Sequence, residues 1–420
     1  MTNKLRSVVI FIILLAPAST NLVRHAGSSI MLVLTLLGIY TFFKRGRIEF
    51  STREKGIMGT FAGYFFFCLL MSAGHNLFNG ISPFKWDVDH EVRMLTILPI
   101  YYLFIQAKLE REIIWYGVVA GAISSGIYAL FESIATGFSS RIIGPYNPCL
   151  FGYFSVALAF MSLSGYHFFY NKNKKLIILP LLGFICGLLA AFFSGTRGSV
   201  ITIPFLTLLF IFQIKRHLNH FNTKITLAAI ISIFIFMLLL FPHTYLEERF
   251  KKGIDEARYY IKNHECVACI EKHEAHHLRM WIEALNIIKD HPITGVGANG
   301  YQQIVISRIN NHKIASGIED FQSPHNMYLT MLTAHGIFGL IVLLAIFLVP
   351  LSGMIYGIKN SGENSDLKDI SYCGLFLIVG YILFSMTGTL FNRNMLISFY
   401  IILIAATLSV NRPIACRTTE

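Results

Sequence analysis

Uncharged apolar runs recur from one end of the chain to the other, and one stretch, between Pro242 and Pro324, interrupts them with a long polar segment. A run of ~20 apolar residues in helical form covers a ~30 Å hydrocarbon core. Leu176 to Phe193, Gly198 to Ile214 and Ile225 to Phe241 meet that measure most clearly. With the weaker runs the pattern predicts about twelve spans. They lie near 7–23, 27–43, 57–77, 93–107, 112–135, 149–170, 176–193, 198–214, 225–241, 326–353, 370–389 and 394–410. Pro17, Pro99, Pro180, Pro204 and Pro350 fall inside these runs, as membrane helices tolerate. The predicted fold class is therefore an all-α polytopic membrane protein. Its parts are nine spans over 1–241, a polar helical segment over 242–324, and three spans with a short tail over 325–420.

Composition agrees: 54% of the 420 residues are apolar and 14% charged. The first run has no small-residue cleavage site and continues into further spans, so it reads as a retained helix. Alternating the spans collects most of the loop Lys and Arg, from Lys4 and Arg6 to Arg412 and Arg417, on one face. The short loops of the other face hold Arg24, Lys85, Arg93, Arg141, Arg197 and Arg393. The excess of cations marks the cytoplasmic side, so both termini are expected there and the polar segment outside. The same bias accounts for much of the net charge of +12. No basic stripe interleaved with aromatics marks a nucleic-acid interface.

The polar segment opens with an amphipathic pattern, Leu246, Phe250, Ile254, Ala257 and Ile261 at helical spacing, suited to a membrane surface or a neighbouring helix. A second helix is predicted from Ala275 to Lys289, with Leu278, Trp281, Ile282, Leu285 and Ile288 as its apolar face. Arg279 lies off that face, one turn before Glu283, where the plain expectation is an exposed i,i+4 ion pair. His291-Pro292 stops the helix, and Gly295, Gly297 and Gly300 make a tight loop. That loop follows a helix instead of opening one, which weakens a phosphate-loop reading. Between the two helices Cys266 and Cys269 stand among His264, His273, His276 and His277. This spacing suits a disulfide, free thiols or a metal, and the sequence leaves the choice open. Cys68, Cys149, Cys186 and Cys373 lie in or at the ends of spans and read as packing residues.

Two positions suggest chemistry. Arg197 stands between apolar runs in Ser194-Gly195-Thr196-Arg197-Gly198. A charge there is costly unless it snorkels to the interface or binds a ligand, and a guanidinium suits bidentate contact with phosphate. His325, in Ser323-Pro324-His325-Asn326 at the start of the tenth span, has an ordinary pKa that lets it accept a proton near neutrality.

Taken in order, three motifs resemble the O-antigen ligase and polymerase superfamily, most closely the bacterial O-antigen ligases. They are Thr196-Arg197-Gly198; the segment from Arg279-Met280-Trp281 to His291-Pro292-Ile293-Thr294-Gly295-Val296-Gly297; and His325-Asn326-x-x-Leu329-x6-Gly336. The topology is similar over essentially the whole chain. Ile201 stands where the ligase pattern usually has Leu, and Asn326 where it has Ser. These departures blur ligase against polymerase more than the reaction type.

The resemblance implies a GT-C-like membrane glycosyltransferase of the bacterial inner membrane, working at its periplasmic face in lipopolysaccharide biosynthesis. Its donor would be a glycan on undecaprenyl diphosphate and its acceptor a sugar hydroxyl of lipid A–core, within the bilayer and without nucleic acid. Transfer would invert the anomeric centre with no cofactor and no metal. By the same resemblance His325 is the general base, and Arg279 and Arg197 stabilise the diphosphate. Lys85, Arg93, Arg141, Asn326 and Tyr301 are further substrate contacts to test. An O-antigen polymerase is the nearest alternative and a lipid-linked glycan transporter a more distant one, although matching inverted repeats are not evident.

Overall fold

The computed structural model describes residues 1–78, 89–138, 140–215, 245–263, 276–362 and 365–412, and among them the chain is helical throughout. The first half runs α1 (Asn3–Leu22), α2 (Ala26–Arg45), α3 (Thr52–Phe78) and the single turn α4 (Asp89–Val92). A 3-10 turn, Arg93–Thr96, then leads into α5 (Ile97–Gln106), followed by α6 (Arg111–Ala135), α7 (Pro148–Ser164), α8 (Tyr166–Lys172), α9 (Ile178–Phe193) and α10 (Arg197–Lys215). The polar segment contributes α11 (Tyr245–Asn263), α12 (His276–Asp290) and α13 (Gly300–Asn310). The chain closes with α14 (Met327–Asn360), α15 (Ser365–Phe384) and α16 (Asn394–Val410).

Eight of the described helices are long and apolar enough to cross a membrane, or nine if α7 and α8, bent by 43° at Gly165, form one broken span. The expected span at 93–107 is a 3-10 turn followed by the ten-residue α5, and that at 394–410 is the shorter apolar α16. The expected span at 225–241 lies outside the described residues, as do Cys266, Cys269 and Lys85.

Burial follows the pattern of side chains. Every residue from Met395 to Val410 of α16, and from Leu150 to Ser164 of α7, is buried. Helices apolar on all sides must be wrapped by others. Tyr400 of α16 packs its ring against those of Tyr381, Phe391 and Phe347, edge-on to the two phenylalanines. Outer helices instead expose Phe11, Phe43, Phe131 and Phe212, apolar surface that suits lipid. Close helix pairs use small residues, as in other membrane bundles. A β-carbon on Gly38 would overlap the Pro99 carbonyl, and one on Gly126 would overlap Cys186.

The segment has its own small core of Met280, Ala284, Ile287, Tyr301, Val305 and Ile318, against which Trp281 and Leu329 pack. This corrects the expected face of α12. Arg279, Met280, Glu283, Ala284 and Ile287 are the buried positions, while Leu285 is exposed. The reason is that α12 packs on α13 and the following loop, which satisfy its polar groups internally. The expected exposed Arg279–Glu283 pair is accordingly absent. Glu283 accepts from Arg308 at 2.8 Å, and Arg279 donates to the carbonyls of Ala315 and Ser316.

The loop after α12 seats the segment on the membrane bundle. Helix α14 is broken at Gly336, whose φ of 63° and ψ of −156° are not helical. Into the break fit Val296 N–H, donating to Thr333 O at 2.8 Å, and Gly297 N–H, donating to Ala334 O at 2.9 Å; Ile337 N–H donates to Pro292 O at 2.9 Å. A β-carbon on Gly336 would overlap the Ile293 carbonyl, and one on Gly295 would overlap the backbone of Ala334. The glycines therefore permit close backbone approach, and the loop docks on α14.

Candidate active site

The starts of α7, α10, α14 and α16 meet at one end of the bundle around a cavity of about 490 Å³, which α11 and α12 also line. Arg197 reaches it because α10 begins immediately after a tight turn. Gly195 adopts φ 61° there, Ser194 Oγ donates to Thr196 Oγ1 at 3.0 Å, and Thr196 Oγ1 donates to Pro148 O at 2.9 Å. Arg141 braces this turn, its Nε donating to Ser194 O at 2.9 Å. Gly253 of α11 lies so close to Arg197 that a β-carbon would overlap Nη1. Its neighbour Lys252 lines the cavity.

His325 is held from both sides. Trp281 Nε1 donates to the carbonyl of Pro324 at 2.9 Å, and Met327 N–H donates to Ser385 O at 2.8 Å. Between these anchors His325 adopts φ 52°, uncommon for a residue with a side chain. Asn326 starts α14, its Oδ1 accepting from the amides of Tyr328 and Leu329 at 3.0 and 3.2 Å; it caps a helix. The imidazole meets Phe321 edge-on at 5.4 Å and lies 5.8 Å from the ring of His277. Burial, with the charge of Arg393 second, pushes its pKa below the ordinary histidine value. A neutral imidazole at pH 7 can accept a proton.

The other expected residues fall elsewhere. Arg279 is 5% exposed and is not among the cavity's lining residues; its neighbours His276, His277 and Met280 are. Tyr301 is buried in the segment core, with its hydroxyl donating to Met280 O at 3.3 Å. Arg93 pairs with Asp89 at 3.1 Å, away from the cavity wall. Among the described residues no group of His, Cys, Asp or Glu is arranged to hold a metal ion.

The lining thus joins Arg197, Lys252 and Arg393 with His276, His277 and His325, together with Asn147, Cys149, Tyr153 and the Thr387-Gly388-Thr389 turn, and among the described residues it contains no Asp or Glu. Lys252 and Arg393 escaped sequence reasoning as site residues. For Arg393 the available signal was its place in a short loop on the same predicted face as Arg197. A cation-walled cavity with a neutral-leaning histidine can bind a polyanion and remove a proton beside it.

Fold and site together define a polytopic helical membrane protein with a cationic, histidine-bearing cavity at one end of its bundle. Residues 182–344 match the family model described as O-antigen ligase, which supports membership of the O-antigen ligase/polymerase superfamily. The match runs from α9 through the Arg197 turn, the segment, His325 and the break at Gly336. A Haemophilus influenzae protein described as uncharacterized is 28% identical over 370 residues, covering 86% of this chain and 88% of its own length.

Proposed function

We propose that this protein is an O-antigen ligase, a membrane glycosyltransferase that moves a polysaccharide from undecaprenyl diphosphate to a sugar hydroxyl of lipid A–core at the periplasmic face of the bacterial inner membrane. The observation that carries the reading is the cavity that His325 lines together with arginine and lysine side chains and, among the described residues, with no carboxylate. The acceptor hydroxyl oxygen attacks the anomeric carbon as its proton passes to His325. The bond from that carbon to the diphosphate breaks, and the electron pair leaves with the diphosphate. Arg197 stabilises the charge that develops there. His325 then releases its proton to water, and a single displacement inverts the anomeric configuration. Arg279 acts from behind the wall, holding the Ala315–Ser316 carbonyls and through them the loop that carries Phe321 and His325.

The test is the purified protein in detergent, given lipid-linked glycan and lipid A–core. Conjugate formed by the wild type and lost in His325→Ala supports the ligase. Elongated glycan still on its lipid carrier would make the protein a polymerase. No product of either kind from well-folded protein would leave the transporter reading.

A further inference from the structure

Arg393 lies outside the residues matched by the family model, and its position is unfavourable for local stability. It immediately precedes α16, makes no side-chain cap, and sets a cation at the positive end of a helix. Among the described residues its side chain has no ion pair, although it lines the same cavity as Arg197 and His325.

Its surroundings are firmly built. Phe391, two residues earlier, is buried against Tyr400, Phe347 and Tyr381. Asn394, the next residue, donates to Asp89 at 2.9 Å and meets His90. The Thr387-Gly388-Thr389 turn rests on Tyr153, whose hydroxyl lies 3.0 Å from Thr387 Oγ1. A β-carbon on Gly198, next to Arg197, would overlap that same threonine. The loop that supplies Arg393 is therefore fixed to the helix start that supplies Arg197, so packing holds the backbone of the two arginines in a set relation.

We infer that Arg393 is a second diphosphate-binding residue, sharing the anion with Arg197. Its charge, after burial, also disfavours protonation of His325. The inference rests on the glycosyltransferase reading above. A diphosphate diester carries two negative charges, which one guanidinium cannot match, and two guanidinium forks lining one cavity can engage both phosphates of a diphosphate, where a monophosphate engages fewer donors. Among the described residues, the titratable and charged groups that line the cavity with His325 are Cys149 and Tyr153 from α7, Arg197 from α10, Lys252 from α11, His276 and His277 from α12, and Arg393. Arg279 and Glu283 of α12 are committed to the Ala315 and Ser316 carbonyls and to Arg308. On His325's own loop Glu319 accepts from the Gly317 amide.

The experiment uses the full-length protein in detergent, carrying Arg393→Gln, Arg393→Lys or Arg197→Gln, with farnesyl diphosphate and farnesyl monophosphate as binding probes. Arg393→Gln should weaken the diphosphate about tenfold and the monophosphate less, and should move the acid limb of kcat/KM to higher pH. Arg393→Lys should keep the limb in place and recover part of the binding. Diphosphate affinity and acid limb both unchanged in Arg393→Gln, with Arg197→Gln weakened, would overturn this inference and leave the broader reading standing. Wild-type protein that binds no diphosphate would overturn both. Gel filtration of each variant separates misfolding from loss of the site, and Arg393→Lys serves if Arg393→Gln does not fold.

Discussion

Gly336→Ala tests how the polar segment is tied to the membrane helices. At φ 63° and ψ −156° the backbone lies where glycine is comfortable and an alanine carries about 1–3 kcal/mol of strain. The added β-carbon would also overlap the Ile293 carbonyl, so the 292–297 loop must shift. Three backbone hydrogen bonds hold that loop to α14, from Val296, Gly297 and Ile337, each contributing roughly 0.5–1.5 kcal/mol net. Strain and the loss of two or three bonds together amount to about 3–5 kcal/mol, enough to detach the loop and with it the α12 wall of the cavity. In a fluorescence-detected thermal melt the variant should lose about 3–6 °C, and limited trypsin digestion should cut the segment sooner. Gly63→Ala is the control, because nothing lies within 4 Å of a β-carbon there and alanine favours a helix. A Gly336→Ala protein that melts with the wild type and resists trypsin equally would refute the docking argument.

Two further outcomes follow from the site. His325 must be neutral to act as a base, and neutrality holds above its pKa; since burial and Arg393 lower that pKa, the acid limb of kcat/KM should lie below about pH 6.5, and a limb well above that value would contradict the burial argument. Arg279→Ala should lower the melting temperature and kcat together, by about 2–4 kcal/mol of stability, because the carbonyls of Ala315 and Ser316 lose a buried charged donor. An unchanged melt with a raised KM for the lipid-linked donor would instead put Arg279 in contact with the anion.

Much of this arrangement is legible in the chain. The break between apolar runs at Arg197 and the histidine just before α14 are visible as departures from periodicity, and each lies at the start of a helix. The facing of α12 is not legible. Its apolar stripe and its buried stripe differ, because Arg279 and Glu283 find partners in the 315–316 loop and in Arg308, and such partners are distant in sequence. The glycines of the Thr294–Tyr301 loop are visible as a turn, but their use is to let two backbones touch, which depends on where α14 breaks.

Sequence alone therefore determined most of the long apolar helices, since lipid demands such helices with internally satisfied backbones and a stranded charge is conspicuous among them. The tertiary structure decided which cations share a cavity. It took Arg279 out of the wall, brought Lys252 and Arg393 in, and fixed His325 between Trp281 and Ser385. Those outcomes depend on contacts between residues tens to hundreds of positions apart, where only packing sets the distance.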